Sequence, residues 1–536
     1  MKKFSILIII SLIAFQANTQ NWLELNKIVA SDRSPKANFG YSSSLSGNYV
    51  IISAPGEGTF DNPYYDEGAA YIFEKGVDDS WFEAAVIVAS DRDTNNWFGE
   101  MVSISGDYAI VGAQLADEDE HGEHYKQWAG AAYIYERDHG GNWIEVQKIA
   151  ASDRAEFARF GSSVSIYGNY AIVGAYFENK DASGNSVGSA GAAYIYRRNE
   201  NGVWVETQKI VASDRQESDN FGFSVSIHDK ILIVGALHDN MDEEGENSLD
   251  DAGSAYVFEK DNSGNWTQKQ KLVDLHREKR AEFGNAVSIY ENSVIVGARY
   301  ANVDPNGWNP LENAGSVCFF ERQNNGNWML VFKACAFDRL IGDDYGTSVD
   351  IHNNYAIVGV PGNCLNEDGV KYVPKAGAAY IYYKESNTGN WLFGRKIVAS
   401  KRSMINNLGI SVTIEDNYAL AGANNVNTDA IDADSLESAG AVYFFKPDFS
   451  SISENDFGSK IKLSPNPTNE AVSIDLGKFC TKVHIKILNN HGQSISSKSF
   501  ENMQTAHLKI DGPVGLYFLM IFPDEGKSAC VKVIKY

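Results

Sequence analysis

A large apolar residue followed by glycine recurs seven times along this chain and constrains its fold more than any other feature. Phe39, Phe98, Phe160, Phe221, Phe283, Tyr345 and Leu408 precede Gly40, Gly99, Gly161, Gly222, Gly284, Gly346 and Gly409, 59 to 63 residues apart. Within each copy two short alternating runs surround a tight turn (GNY, GDY, DNY), a polar loop follows, and then come a Gly-Ala-Ala-Tyr-like run and a Trp-led run. Alternation of period two between turn residues predicts four antiparallel strands per copy. So small a unit cannot bury both faces alone, and stacked small sheets arranged in a ring make a β-propeller. The expected fold class is all-β, a seven-bladed β-propeller over 20–447 followed by a small antiparallel β-sandwich.

The copies also fix where each strand starts. From the pair to the next small-residue corner (Ser53, Gly112, Gly174, Gly235, Gly297, Gly359, Gly422) the step is always 14, which two strands and their turn fill. The third strand opens on glycine and carries Tyr71, Tyr133, Tyr194, Tyr256, Tyr380 or Tyr443, rings expected to pack between blades. Trp81, Trp143, Trp204, Trp266, Trp328 and Trp391 start the fourth strand in six copies. The seventh, Trp22, stands at the front of the chain, while the last copy breaks off at Lys446 and Pro447. The segment 21–31 is therefore expected to supply the outer strand of the last blade and close the ring.

An arginine follows each of these tryptophans by 11 positions: Arg33, Arg92, Arg154, Arg215, Arg277, Arg339 and Arg402. Asp32, Asp91, Asp153, Asp214 and Asp338 stand just before five of them, His276 and Lys401 before the others. Every blade needs the same joint, so this ring is expected to link adjacent blades through ion pairs or backbone hydrogen bonds rather than to hold a ligand.

Seventy acidic against 46 basic residues, a formal charge of -24, argue against a nucleic-acid partner, whose phosphates need a basic surface. Cations or neutral polar ligands suit the chain better. Four loops after the corner place oxygen-bearing side chains alternately before a glycine: Asp117 and Asp119, Asn179 and Asp181, Asn240 and Asp242, and Asn302, Asp304 and Asn306. Such spacing can converge on a hard cation and makes calcium the candidate cofactor. The alternative is a plain polar loop, since no glutamate closes the motif twelve positions along. With four antiparallel strands per blade, these loops and the crossovers share one face. The acidic loops GEGTFDNPYYDE, LADEDEHGEHYKQW and HDNMDEEGENSLDD thus gather there, on the expected contact surface.

The ends carry their own signals. Lys2 and Lys3, an apolar run from Phe4 to Phe15 and then Ala17, Asn18 and Thr19 read as a secretory signal over 1–19, too short for a permanent transmembrane helix. No later segment is apolar enough to span. Residues 448–460 read as a polar linker. Of five cysteines, Cys318 and Cys335 fall on two arms of one predicted hairpin and Cys480 and Cys530 share the C-terminal region, as bridges or as isolated thiols; Cys364 is left over.

The Phe-Gly pairs with their Gly-Ala corners resemble the FG-GAP repeats of integrin-α-type propellers over residues 20–447. The resemblance implies a seven-bladed propeller used for binding and adhesion, often with calcium in a DxDxDG loop between the first two strands. Here those turns are GNY-like, so that calcium site has no matching residues. Pro465, Asn466 and Pro467, then Asn490, Gly492, Gly515 to Tyr517 and a basic last strand resemble the type A sorting domain of the type IX secretion system, over 461–536. This implies export across the outer membrane of a Bacteroidetes-type bacterium, by way of the secretion machinery, with tail removal and release or surface attachment.

The expected function is a secreted or cell-surface binding and adhesion protein with an extracellular protein or glycan ligand. The alternative is a carbohydrate-active enzyme, a glycosidase or lyase on a propeller scaffold. HExxH is absent, and no carboxylate pair or nucleophile with its base stands out, so no catalytic residue is assigned.

Overall fold

The computed structural model describes residues 21–58, 67–77, 79–93, 96–385, 388–448, 461–469, 471–488, 494–523 and 529–536. The expected signal segment, nearly all of the expected linker and loop residues 59–66 lie outside the described residues. Every regular element among the described residues is a strand.

Seven four-stranded antiparallel sheets account for residues 21–448. We number them in chain order of their inner strands, from Ser43–Ser46 in sheet one to Val412–Glu415 in sheet seven. Sheet three is typical, with strands Ser163–Tyr167, Tyr170–Ala175, Ala192–Arg198 and Trp204–Ile210. Its second and third strands are buried almost throughout, as strands covered on both faces must be, and they read as continuous apolar runs. The outer strand alternates between buried and exposed positions, because only one of its faces is covered.

Inner strands touch in order around a ring, and Ser43–Ser46 of sheet one meets Val412–Glu415 of sheet seven. Two sets of bonds hold the ring together. The serine hydroxyl of one inner strand accepts an N–H from the next: Ser44 from Ile104, Ser103 from Ile166, Ser165 from Ile227 and Ser226 from Ile289, at 3.1 to 3.2 Å. Asp350 replaces the serine in sheet six and accepts from Ile414 N at 2.9 Å and from the Thr413 and Ser288 hydroxyls. Farther out, six of the seven third-strand glycines form a parallel bridge with the apolar residue of the next pair, as Gly130 does with Phe160. Gly130 has φ +85°, and a Cβ there would fall well inside contact distance of the Phe160 carbonyl oxygen, so the seam admits only glycine. Gly440 and Phe39 repeat it between sheets seven and one.

Sheet seven is completed from the other end of the chain. Asn21–Ile28 runs antiparallel to Ala441–Asp448, with Trp22 opposite Pro447.

Beyond the linker, Ala471–Leu488 and Ser494–Lys509 form a long antiparallel pair in a five-stranded sheet with Lys462–Ser464, Gly515–Pro523 and Ala529–Lys535. The pairing register breaks between Asp475 and Cys480, and side chains from both halves, among them Val472, Ile474, Val483 and Ile485, share one apolar core with Leu519 and Val533. Cys318, Cys335 and Cys364 are free thiols. Strand register sets Cys318 opposite Lys333, which separates it from Cys335; the Cys530 side chain lies outside the described residues.

Candidate functional site

The Asp-Arg dipeptides on the crossovers are joints with two arms. Asp91 accepts from the Tyr133 hydroxyl at 2.7 Å and from Lys148 at 2.6 Å, both in the sheet the chain is about to enter. Asp153 does the same with Tyr194 and Lys209, and Asp214 with Tyr256 and Lys271. Burial alone would raise the Asp91 carboxyl, but the Lys148 ammonium and the Tyr133 hydroxyl bring it below the ordinary range.

The arginine reaches the other way, to backbone carbonyls of the loop in the sheet just left. Arg154 donates to His124 and Asp117, each at 2.7 Å, Arg215 to Asn185 and Asn179, and Arg277 to Asn247 and Asn240. Arg339 holds Asn309 and Asn302, Arg402 holds Lys371, Arg33 holds Asn427, and Arg92 holds Gly68 and the Glu67 carboxylate. The arginines therefore bind loops within a sheet, while the aspartates carry the connection to the next one.

Both departures from the dipeptide have a local reason. Sheet five has Cys318 in place of the tyrosine, and the carboxylate moves two residues upstream from His276 to Asp274, which fills the space and meets Lys333 at 2.8 Å. Where Lys401 replaces aspartate, Lys27 turns to Asp432 at 2.9 Å and to Thr428 at 2.7 Å.

The loops with metal-like spacing spend their oxygens on their own backbone. Asp181 Oδ1 accepts from Ser183 N and Asn185 N at 2.8 Å; Asp304 Oδ1 accepts from Asn306 N and Trp308 N. Asp119 takes His121 N, Glu123 N and the His124 ring, and Asp242 takes Glu246 N and the Asn247 amide. The leading residues bridge the far side of the loop: Asp117 accepts from Trp128 N, Asn179 from Ser189 N, Asn240 from Asp251 N and Asn302 from Asn313 N. The Glu246 N–H and the Asn247 amide hold the Asp242 carboxyl down at about 2. A cation needs these lone pairs turned toward a common centre, whereas here they face N–H groups. The loop residues therefore do not fit calcium in this arrangement. No group of three or more His, Cys, Asp or Glu side chains among the described residues is placed to hold a metal.

Charged, polar and aromatic side chains converge near the axis on the loop face, from three repeated positions. The residue before the apolar-glycine pair gives Arg159, Glu282 and Asp344, the residue after it Tyr41, Glu100 and Phe223, and the second residue after the corner Gln114, Tyr176 and Arg299. Arg299 meets Glu282 at 2.7 Å, and Tyr176 stacks edge-on against Phe223 at 5.4 Å. Arg159 lies over the Trp128 and Phe177 rings. Burial and the Glu100 charge push the Tyr41 hydroxyl up to about 12, with opposing pull from Arg299 in sheet five, so side chains of sheets one, two and five share this space. Burial raises Glu100 to about 7 against a hydrogen bond from Gln114 and the Arg159 charge, and raises Asp344 to about 6 against Arg299 and Lys375. Gln114 is 4% exposed, yet its Oε1 has no hydrogen-bond partner, and neither has Glu100 Oε2. Beside this mouth, Tyr300, Asn313, Asp344, Tyr372 and Lys375 line a cavity of about 530 Å³.

The position before the pair has φ between 53° and 57° in all seven copies. Asn38, Asn220 and Asn407 tolerate that left-handed backbone, but Arg159 and Glu282 hold it at a cost of about 1–3 kcal/mol each. The sequence reading missed these axial residues. The available signal was variation at fixed positions flanking the invariant glycines.

The repeat geometry has a counterpart in known families. The FG-GAP repeat model matches residues 22–73, 81–135, 143–196, 204–258 and 266–317, half of the chain. The chain belongs to the FG-GAP repeat family. Each match starts on a Trp-led outer strand and runs through the three inner strands of the next sheet, so in this FG-GAP protein sequence repeat and sheet are out of phase by one strand. A secretion system C-terminal sorting domain matches residues 462–536. The FG-GAP protein is thus exported by type IX secretion to the cell surface. No curated protein matches the chain. Among solved structures, Sqt1 of Saccharomyces cerevisiae is similar at 10% identity over 96% of this chain and 99% of that one, with a TM-score of 0.39. A protein from Lactobacillus plantarum is similar at 11% identity over 72% and 89%, with a TM-score of 0.42. Likenesses this remote bear no weight. No helix among the described residues is long and apolar enough to cross a membrane.

Proposed function

We propose that this FG-GAP protein is an extracellular binding protein, an adhesin or recognition module, which engages a protein or glycan ligand through the loop face. The observation that carries the reading is the axial mouth, where the acceptors Gln114 Oε1 and Glu100 Oε2 are desolvated and lack hydrogen-bond partners. Crossover arginines hold the surrounding loops, so the face is preorganised and little ordering entropy opposes binding. A carbohydrate-active enzyme is the second reading, favoured by Glu100 and Asp344, whose raised carboxyls suit a proton donor. A protein and glycan array probed with the secreted protein, with and without calcium, tests both. Specific capture without product release supports the binding protein, product release the enzyme, and an array without hits overturns both.

A further inference from the structure

Resting on that reading, we propose that the axial mouth is a subsite for a neutral saccharide, held by Gln114, Glu100 and the rings of Tyr41 and Tyr176. Charge comes first. Glu282 is paired with Arg299, Glu100 lies in the field of Arg159, and Asp344 in that of Arg299 and Lys375. Acid and base balance locally although the whole chain carries -24, so neither a polycation nor a polyanion finds a surplus to neutralise.

Hydrogen bonding comes second. The atoms left without partners, Gln114 Oε1 and Glu100 Oε2, are both acceptors, and Gln114 is almost wholly buried. Leaving a buried acceptor unmade is costly, so a ligand bringing hydroxyl donors recovers that cost. Tyr41, Tyr176 and Phe223 add apolar ring surface, and a sugar ring joins hydroxyl edges to C–H faces. Side chains of the first six sheets bound the mouth, and such a closed rim receives a compact ring rather than an extended peptide.

The test is calorimetric titration of the secreted protein with cellohexaose, mannohexaose, laminarihexaose and chitohexaose, beside polygalacturonate, polylysine and an immobilised peptide library. At least one neutral oligosaccharide is expected to bind. Gln114→Leu and Tyr176→Ala should each weaken it by about tenfold or more, the loss of one buried anchor. Trp308→Ala, exposed on a loop of the same face, should leave it unchanged. Thermal melts establish that each variant folds, and Tyr176→Leu, which removes the ring but keeps an apolar side chain, replaces Tyr176→Ala if the latter does not. Polylysine, polygalacturonate or peptides as the preferred ligand, or saccharide binding that survives the folded variants, overturns the axial subsite and leaves the loop-face reading standing. The absence of any ligand overturns both.

Discussion

The Lys333 ammonium lies 2.8 Å from the Asp274 carboxylate, with side chains only 3% and 1% exposed. Sheets two, three and four use tyrosine, lysine and aspartate at this joint; sheet five replaces that trio with one buried ion pair. Removing either charge alone strands the other. Asp274→Ala is expected to cost about 3–5 kcal/mol, whereas the double variant Asp274→Ala/Lys333→Met should recover most of the loss. Denaturant unfolding of the two variants measures this, and equal losses would contradict it.

Arg154 ties its crossover to the loop that contains Asp117 and His124. Arg154→Ala removes two charge-assisted bonds, each worth about 1.5–3 kcal/mol. Faster amide exchange is expected over residues 117–128 and not on the inner strands. Uniform protection in hydrogen-exchange mass spectrometry would show that the latch is dispensable.

Deleting residues 20–33 removes the outer strand of sheet seven and exposes the edge of Ala441–Asp448. The melting temperature should fall sharply and aggregation should rise. Adding a synthetic 20–33 peptide should restore part of the melt.

Burial raises Glu57, Glu100, Asp219, Asp343 and Glu415 to about 7 and Asp344 to about 6. The folded chain therefore binds more protons than the unfolded chain between the ordinary carboxyl range and about pH 7, and stability falls as pH rises through that window. Asp91 and Asp242, held below the ordinary range, lose their stabilising contribution only in stronger acid. The melting temperature should peak near pH 5 and decline toward pH 8, and Glu100→Gln should flatten part of that decline. A peak above pH 7 would contradict this assignment.

Loop oxygens already committed to N–H groups leave calcium little to bind. Chelation is expected to leave the melt unchanged, and a rise of several degrees on adding millimolar calcium would restore the cation reading.

The frame was legible because it repeats: glycine seams, Trp-led outer strands and crossover arginines recur at fixed spacing, and a period visible in one chain stands in for comparison between chains. What fills the frame was not. Metal-like spacing at Asp119 and Asp181 is also what a turn-capping aspartate requires, and only geometry separates a carboxylate facing a cation from one facing N–H groups. The serines at 44, 103, 165 and 226 look like ordinary strand residues until the inner strands are set side by side. Glu100, Arg159 and Arg299 come from different sheets, and no local pattern brings them together.

The sorting tail and the completing strand of sheet seven meet at one element. Ala441–Asp448 leads into the linker and lies between Tyr418–Ala423 and Asn21–Ile28. Any pull transmitted through the linker enters the propeller along that strand, and its two neighbours resist in shear. One of them is the start of the chain, so the beginning of the polypeptide helps to anchor its end.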